Sequence, residues 1–238
     1  MNTHNRRLAA LLAVLGLLAI GAGPASAREL AEVHEYRIAG QRSASITVAP
    51  APCVDGAYRL LNGYWAQTYR WSLNVASTPS QLNKSTVKTV LRRSFSNITG
   101  ANNDCGRADN VSATHEFLGK TGRRPNCTSR DGHNVVGFGR LQFGVLAVTC
   151  YWVRNGRMVE ADVKINSRES WALSVRGCRN KPVLEATMTH EAGHVFGLDH
   201  IGERKHGRLT MSPFLDGPCM NNEATLGLGD MRGLEALY

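Results

Sequence analysis

The sequence predicts a mixed α/β (α+β) domain, a sheet with helices packed on it, and three observations predict it. Short segments rich in aromatic and β-branched residues recur between turn signals, as strands do. Two segments instead repeat apolar residues at helical spacing. An Asn155-Gly156 pair between two apolar runs marks a hairpin. Composition agrees: 42% hydrophobic and 20% charged residues in 238 are the balance of a globular chain, not a disordered one.

The elements follow in order. Tyr69 to Val75 has strand content. Pro79 and Asn83 prepare a helix in which Val87, Val90, Leu91 and Phe95 share a face, and Gly100 follows its end. Val111 to Leu118 reads as a strand, and a Gly- and Asn-rich loop runs from Gly119 to about His133. Asn134–Gly139 and Gly144–Val153 read as two more strands. After the hairpin turn, Val159, Ala161, Val163 and Ile165 alternate on one face. Pro182 to Phe196 is the strongest helix, with Pro182 in its first turn and Gly197 as its stop. Leu184, Met188, Ala192 and Val195 fall in one arc, and His190 and His194 project from nearly the opposite side.

The N-terminus has the parts of a signal peptide. Arg6-Arg7 is followed by an uncharged apolar run, Leu8–Ile20, and by Ala25-Ser26-Ala27, a small-residue cleavage site before Arg28. The apolar run is short of the roughly 20 residues that span a bilayer. The expected organisation is a signal peptide at 1–27, an N-terminal arm or short pro-segment at 28–60, and a catalytic-type domain at 61–238. Arg28 to about Ala51 reads as polar and weakly patterned, and the arm and pro-segment readings both stand. An exported chain with six cysteines (Cys53, Cys105, Cys127, Cys150, Cys178, Cys219) is expected to form three disulfides. Fifteen pairings are open. Pairing Cys105–Cys127 and Cys178–Cys219 leaves Cys53–Cys150 as one expectation. No C-x-x-C spacing occurs, which argues against a cysteine metal or redox site. The net charge of +9 is scattered rather than blocked, so it reads as a basic surface and not as a nucleic-acid interface.

The chemistry concentrates at His190-Glu191-x-x-His194. Residues i and i+4 stand one above the other on a helix, so both imidazoles can reach one ion. Neutral imidazole is a natural ligand of Zn²⁺, and a catalytic site takes three protein ligands plus water. Gly197 permits the sharp exit that brings His200 back to the same ion as third ligand. Glu191, one residue round from His190, is placed to act as catalytic base on a metal-held water. The five fixed residues of H-E-x-x-H-x-x-G-x-x-H would match by chance with a probability of about 10⁻⁵ to 10⁻⁴ over a chain of this composition.

HEAGHVFGLDH resembles the metzincin zinc motif. Leu209-Thr210-Met211-Ser212-Pro213 resembles the methionine turn of that group, with Met211 as the turn residue, and Pro213 points to the matrixin branch. Leu228 to Tyr238 is similar to the last helix of matrixin catalytic domains. The resemblance, over roughly Tyr69–Tyr238, implies a zincin/metzincin-like fold: a mixed, mostly parallel twisted sheet, two long helices including the zinc-binding one, and a small C-terminal subdomain with a final helix. It implies a secreted, monomeric zinc endopeptidase acting on protein or peptide, with no nucleic-acid or membrane partner. It also implies a substrate strand along the edge Gly144–Trp152, and a pocket at Ser212, Pro213, Phe214 and Leu215. A structural Ca²⁺ near Asp131-Gly132-His133-Asn134 would be a further implication, although those residues are poor in carboxylates. The alternative is a non-enzymatic zinc-binding module of the same fold, which would have no need of Glu191. No cysteine-switch motif occurs, and Cys53 reads as a disulfide partner rather than a zinc-blocking thiolate. His115, His133 and His206 read as solvent-exposed residues rather than a second zinc site. Asn97 and Asn126 begin glycosylation sequons.

Overall fold

The structure is a computed structural model that describes residues 30–38 and 49–238. The signal-peptide reading of 1–27 lies outside the described residues. The described residues form strands β1 (Leu30–Ile38), β2 (Tyr69–Asn74), β3 (His115–Lys120), β4 (Val135–Gly139), β5 (Val145–Arg154), β6 (Arg157–Asn166) and β7 (Phe214–Leu215), with helix α1 (Lys84–Thr99) after β2, α2 (Leu184–Val195) and the short α3 (Glu203–His206) after β6, and α4 (Leu228–Leu237) last. The strands form one sheet in the order β3-β2-β4-β6-β5-β1-β7. Pairing is parallel for β2 with β3 and β4, for β4 with β6 and for β1 with β7, and antiparallel for β5 with β6 and β1. The expected mixed, mostly parallel α/β sheet is therefore present.

One face of the sheet receives α1 and α2. Trp71 and Leu73 of β2, Val136 and Phe138 of β4, and Ala161, Val163 and Ile165 of β6 join Leu91 and Phe95 of α1 and Met188 and Ala192 of α2 in one buried core. Burying a side chain of this size contributes about 1.5–3 kcal/mol, so this layer holds α2 in place. Asn83 caps α1 by accepting the Thr86 N–H at 2.9 Å. The Arg93–Glu185 ion pair and a 3.1 Å hydrogen bond from Asn97 to Thr189 then tie α1 to α2. Asn97 is 4% exposed, so its sequon is not available to a glycan.

Several expectations are corrected. Val159 does not share the face of Ala161, because β6 bulges there: adjacent Trp152 and Val153 pair with Glu160 and Met158, so Val159 is the extra residue, turned to the outer face, and Met158 takes the core position. The strand expected at 111–118 begins at His115, where pairing with Tyr69 starts. Pro182 lies before the helix, not in its first turn. Its carbonyl accepts the Ala172 N–H at 2.9 Å, which keeps 182–183 extended until Leu184. The segment read as polar and weakly patterned contains β1, paired with β5 from Val153 to Val145. The disulfides are Cys53–Cys105, Cys127–Cys150 and Cys178–Cys219, so only the last expected pair forms. Cys150 faces outward from β5 with Val148 and Trp152, under the loop that carries Cys127. Cys53 meets Cys105 because Leu226 and Leu228 bond to the carbonyls of Asn102 and Pro52, which brings those two segments together.

The loop before β4 is closed from inside the sheet. Asp162, fully buried on β6, accepts the backbone N–H groups of Asn126 and Val135, and Glu160 accepts those of Asp131 and Gly132. These carboxylates thus serve amides at the loop proposed for calcium. Burial, and secondarily the charges of Glu160 and Asp131, raise the Asp162 carboxyl from the usual 3.8 to about 7.

The ionised form of Asp162 is the one the fold disfavours. Its contribution is fully present below about pH 4 and is lost as pH rises through about 7. The drop in thermal midpoint between pH 4 and pH 7 should be smaller in Asp162→Asn than in the parent, read by circular dichroism. An equal drop would contradict this assignment. Gly197 has φ +92°, and a Cβ there would meet Gly63 O at 2.8 Å. Gly197→Ala should therefore lose about 1–3 kcal/mol of stability in denaturant titration.

Candidate metal centre and active site

Helix α2 is buried on every side except at Glu185. Its apolar arc faces the sheet as expected. The histidine side is also covered, by β1 and by the chain that follows the helix. The helix stops at Phe196, and Gly197 turns the chain so that Leu198 N–H returns to Gly193 O at 2.9 Å. Asp199 then accepts the His200 N–H at 2.7 Å and is itself held by Arg59 at 3.2 Å. His200 is thereby directed at the helix.

The Nε2 atoms of His190, His194 and His200 lie 3.0 Å from one another in all three pairings. The other ring nitrogens decide what these atoms are. His190 Nδ1 lies 2.7 Å from Thr210 O, and His194 Nδ1 lies 2.8 Å from Leu198 O. A carbonyl only accepts, so both Nδ1 atoms carry the proton, and both Nε2 atoms present lone pairs in neutral rings. Burial first, and neighbouring histidines second, push both rings well below the usual histidine range. His200 is pushed to about 4, by burial and then by His34 and Arg59. Lone pairs that converge at this distance repel unless a cation lies among them. The donor set therefore fits a dication that takes neutral imidazole, as Zn²⁺ does.

Glu191 is fully buried beside this trio. Thr149 of β5 donates its hydroxyl to Glu191 Oε2, while Oε1 has no hydrogen-bond partner among the described residues. A carboxylate oxygen left open in a buried site is suited to a reacting water. Burial raises the Glu191 carboxyl to about 8; the Thr149 hydrogen bond opposes this and the Glu35 charge adds to it.

Met211 lies under the helix. A Cβ on Gly193 would meet its sulfur at 2.3 Å, so the absence of a side chain at 193 is what admits Met211. Asp230, in the first turn of α4, accepts the N–H groups of Thr210 at 3.0 Å, Met211 at 3.2 Å and Gly227 at 2.9 Å. It pins the turn whose Thr210 carbonyl orients His190. The expected pocket segment follows: Ser212 and Leu215 are buried, and Pro213 and Phe214 are half-buried against β1.

Five functional candidates escaped the sequence reading: Thr149, Gly193, Asp230, His34 and Tyr36. Asp230 had a signal, since an acidic residue at the third helical position often reaches back to the helix start. The others are defined by contacts between segments distant in sequence. His34 also has a nitrogen within 4.8 Å of those of His194 and His200. The tighter set is the His190–His194–His200 trio, whose contacts are all 3.0 Å. His115, His133 and His206 are not brought together as a site: His115 contacts Trp71 and Ser96, and His206 pairs with Asp55 at 2.9 Å. Neither of those two is fully exposed, because these partners cover them. A cavity of about 620 Å³, lined by Asn74, Ser77, Phe138 and Lys164, includes none of the histidines.

Residues 129–238 match the family model described as Matrixin. A search of curated proteins gives no match for this chain. The matched span runs from the loop before β4 to the last residue, and so holds β5, α2, the Met211 turn and α4 together. The match over this span supports a matrixin-like metzincin catalytic domain.

Proposed function

We propose that this chain is a secreted zinc-dependent endopeptidase, with His190, His194 and His200 as metal ligands and Glu191 as general base. The observation that carries the reading is the convergence of three neutral imidazole nitrogens at 3.0 Å beside a buried carboxylate with one open oxygen. A merely structural zinc site has no use for that carboxylate, which favours the enzyme over the non-catalytic module. The matrixin match supports a peptidase acting on protein or peptide.

Bound zinc would supply a water of lowered pKa and a positive centre for the scissile carbonyl. The residues of the chain do the rest. Thr149 fixes one Glu191 oxygen and leaves the other turned to the reacting water. Burial holds the Glu191 carboxyl high, and a bound dication would lower it towards neutral pH, where it can take a proton. The same oxygen then returns that proton to the leaving amine. Met211 supplies an apolar floor, and Asp230 keeps that floor and the His190 ring in register. Ser212, Pro213 and Phe214 border the pocket for the substrate side chain.

We read residues 1–27 as a signal peptide, 28–60 as a removable arm or pro-segment, and 61–238 as the catalytic domain. Three disulfides fit an oxidising compartment. No helix among the described residues is long and apolar enough to cross a membrane. The secreted protein is taken as a monomer that engages neither nucleic acid nor membrane.

The decisive experiment uses the zinc-loaded Tyr36→Ala chain, because Tyr36 stacks on His190 in the site. Adding Glu191→Ala should lower cleavage of a quenched peptide by about 10²–10⁴-fold while elemental analysis still finds about one zinc per chain. Equal cleavage with and without Glu191 would overturn the catalytic assignment. Chelation should lower the thermal midpoint of the parent, and zinc should restore it, whereas His194→Ala should respond to neither. Gly193→Ala should displace Met211 and cost about 1–3 kcal/mol, read as a lowered denaturant midpoint. An unchanged midpoint would show that Met211 does not pack there.

A further inference from the structure

Strands β2, β4 and β6 run parallel and end together, with Asn74 opposite Gly137 and Gly139 opposite Asn166. From β2 the chain crosses by α1, on the core face, to β3 on one side. It then returns through 121–134, over the outer face, to β4 on the other side of β2. The winding therefore reverses between β2 and β4. A crevice outside the carboxyl ends of parallel strands, at such a reversal, is the usual place for a ligand in an open α/β sheet. The cavity of about 620 Å³ lies there, and its volume is that of a small-molecule site.

The strand ends fix the floor of this cavity. Ser77 donates its hydroxyl to Asn74 O at 2.6 Å and accepts the Phe138 N–H at 2.8 Å, which joins the end of β2 to β4. Asn74 donates its side-chain amide to Arg123 O at 2.7 Å and so holds the loop that carries Arg124. That loop can lie so close because residue 137 is glycine: a Cβ there would stand 3.1 Å from both Pro125 Cδ and Ser77 Oγ. Gly139 makes the same room for Lys164, whose Cδ would stand 3.1 Å from a Cβ at 139. Lys164 points outward from β6, between the core positions Val163 and Ile165. Its stem thus lies across the end of β4.

Charge gives the site its chemistry. Arg124, Arg140 and Lys164 line the cavity, and none of its lining residues is acidic. Arg123 and Arg130, in the same loop as Arg124, have carboxylate partners, Asp131 at 3.8 Å and Glu160 at 3.7 Å. Arg124, Arg140 and Lys164 have no such partner among the described residues. Asp162 shares the outer face with Lys164, but it is buried under the loop and bonded to backbone N–H groups, and it does not line the cavity. A neighbouring cavity of about 420 Å³ shares Arg140 and Lys164 and adds Arg168, and its one carboxylate, Glu35, is paired with Arg37. A cleft lined by one sign of charge concentrates the opposite sign. Neither cavity is lined by an exposed aromatic ring on which a nucleobase could stack.

We propose that this cavity binds a compact, non-aromatic ligand carrying more than one phosphate or sulfate ester group, held by Arg124, Arg140 and Lys164. Each guanidinium fork suits the paired oxygens of such a group, and the lysine adds a point charge. No histidine lines the cavity, and the inference stands whether or not the chain is a peptidase.

The test is calorimetric titration of the zinc-loaded full-length chain in buffer free of phosphate and sulfate, with fructose 1,6-bisphosphate and sucrose octasulfate as separate probes. A single equivalent of at least one probe should bind, and the tighter probe identifies the ester. Lys164→Gln, Arg140→Gln and Arg124→Gln should each weaken that binding about ten-fold or more. They lie on three separate segments, which guards against a folding defect in any one of them. Arg107→Gln, at an exposed arginine outside both cavities, should leave the affinity unchanged. Binding of neither probe, or unchanged affinity in the three cavity variants, would overturn the site. So would equal weakening by Arg107→Gln, because the attraction would then belong to net charge and not to this cavity.

Discussion

Two lone pairs fixed on His190 and His194, and a third nitrogen from His200, meet in a buried space at 3.0 Å. That convergence is unfavourable in itself, because burial removes the water that would screen it. It persists only while every outer contact is kept. The Thr210 and Leu198 carbonyls hold the two helix rings in one tautomer, and Asp199 aims the third. Each of these groups is placed by a further constraint: Leu198 by the Gly197 turn, Thr210 by the Asp230 carboxylate, Asp199 by Arg59. The C-terminal half of the chain is largely the frame that keeps these three repelling nitrogens together.

The same constraint explains why Asp230 and Met211 belong to one device. Asp230 reaches both the helix start at Gly227 and the two amides of the turn, so α4 and the turn move as a unit. Burial raises its carboxyl to about 6, which the three N–H bonds partly oppose. A neutral side chain with one acceptor oxygen cannot serve all three amides. The floor of the site is therefore tied to a carboxylate distant in sequence from all three histidines.

What was legible in the sequence was what local spacing encodes. The i, i+4 histidines, the helix around them, the Gly197 stop and the Asn155-Gly156 turn, both of whose residues have positive φ, follow from rules about neighbouring residues. The misses share a different cause. Val159 leaves its expected face because it is itself the extra residue where β6 bulges against β5, and Cys127 pairs with Cys150 because a loop folds over the outer face of β5. Thr149 is an ordinary strand residue until α2 is laid across it. The strand Leu30–Ile38 carries Val33, Tyr36 and Ile38 among charged residues, so its pattern is weak, and its pairing partner lies more than a hundred residues away.

That distant pairing changes the meaning of the sheet's edge. A free edge strand exposes unpaired amides and carbonyls and invites other chains. Covering it with a segment of the same chain pairs those backbone groups. The alternation in β1 serves this arrangement: the inward positions His34 and Tyr36 meet the histidine trio, and the outward positions Val33 and Glu35 make no claim on it beyond the Glu35 charge felt by Glu191. The edge of β5 and the histidine trio are thus both covered by one strand.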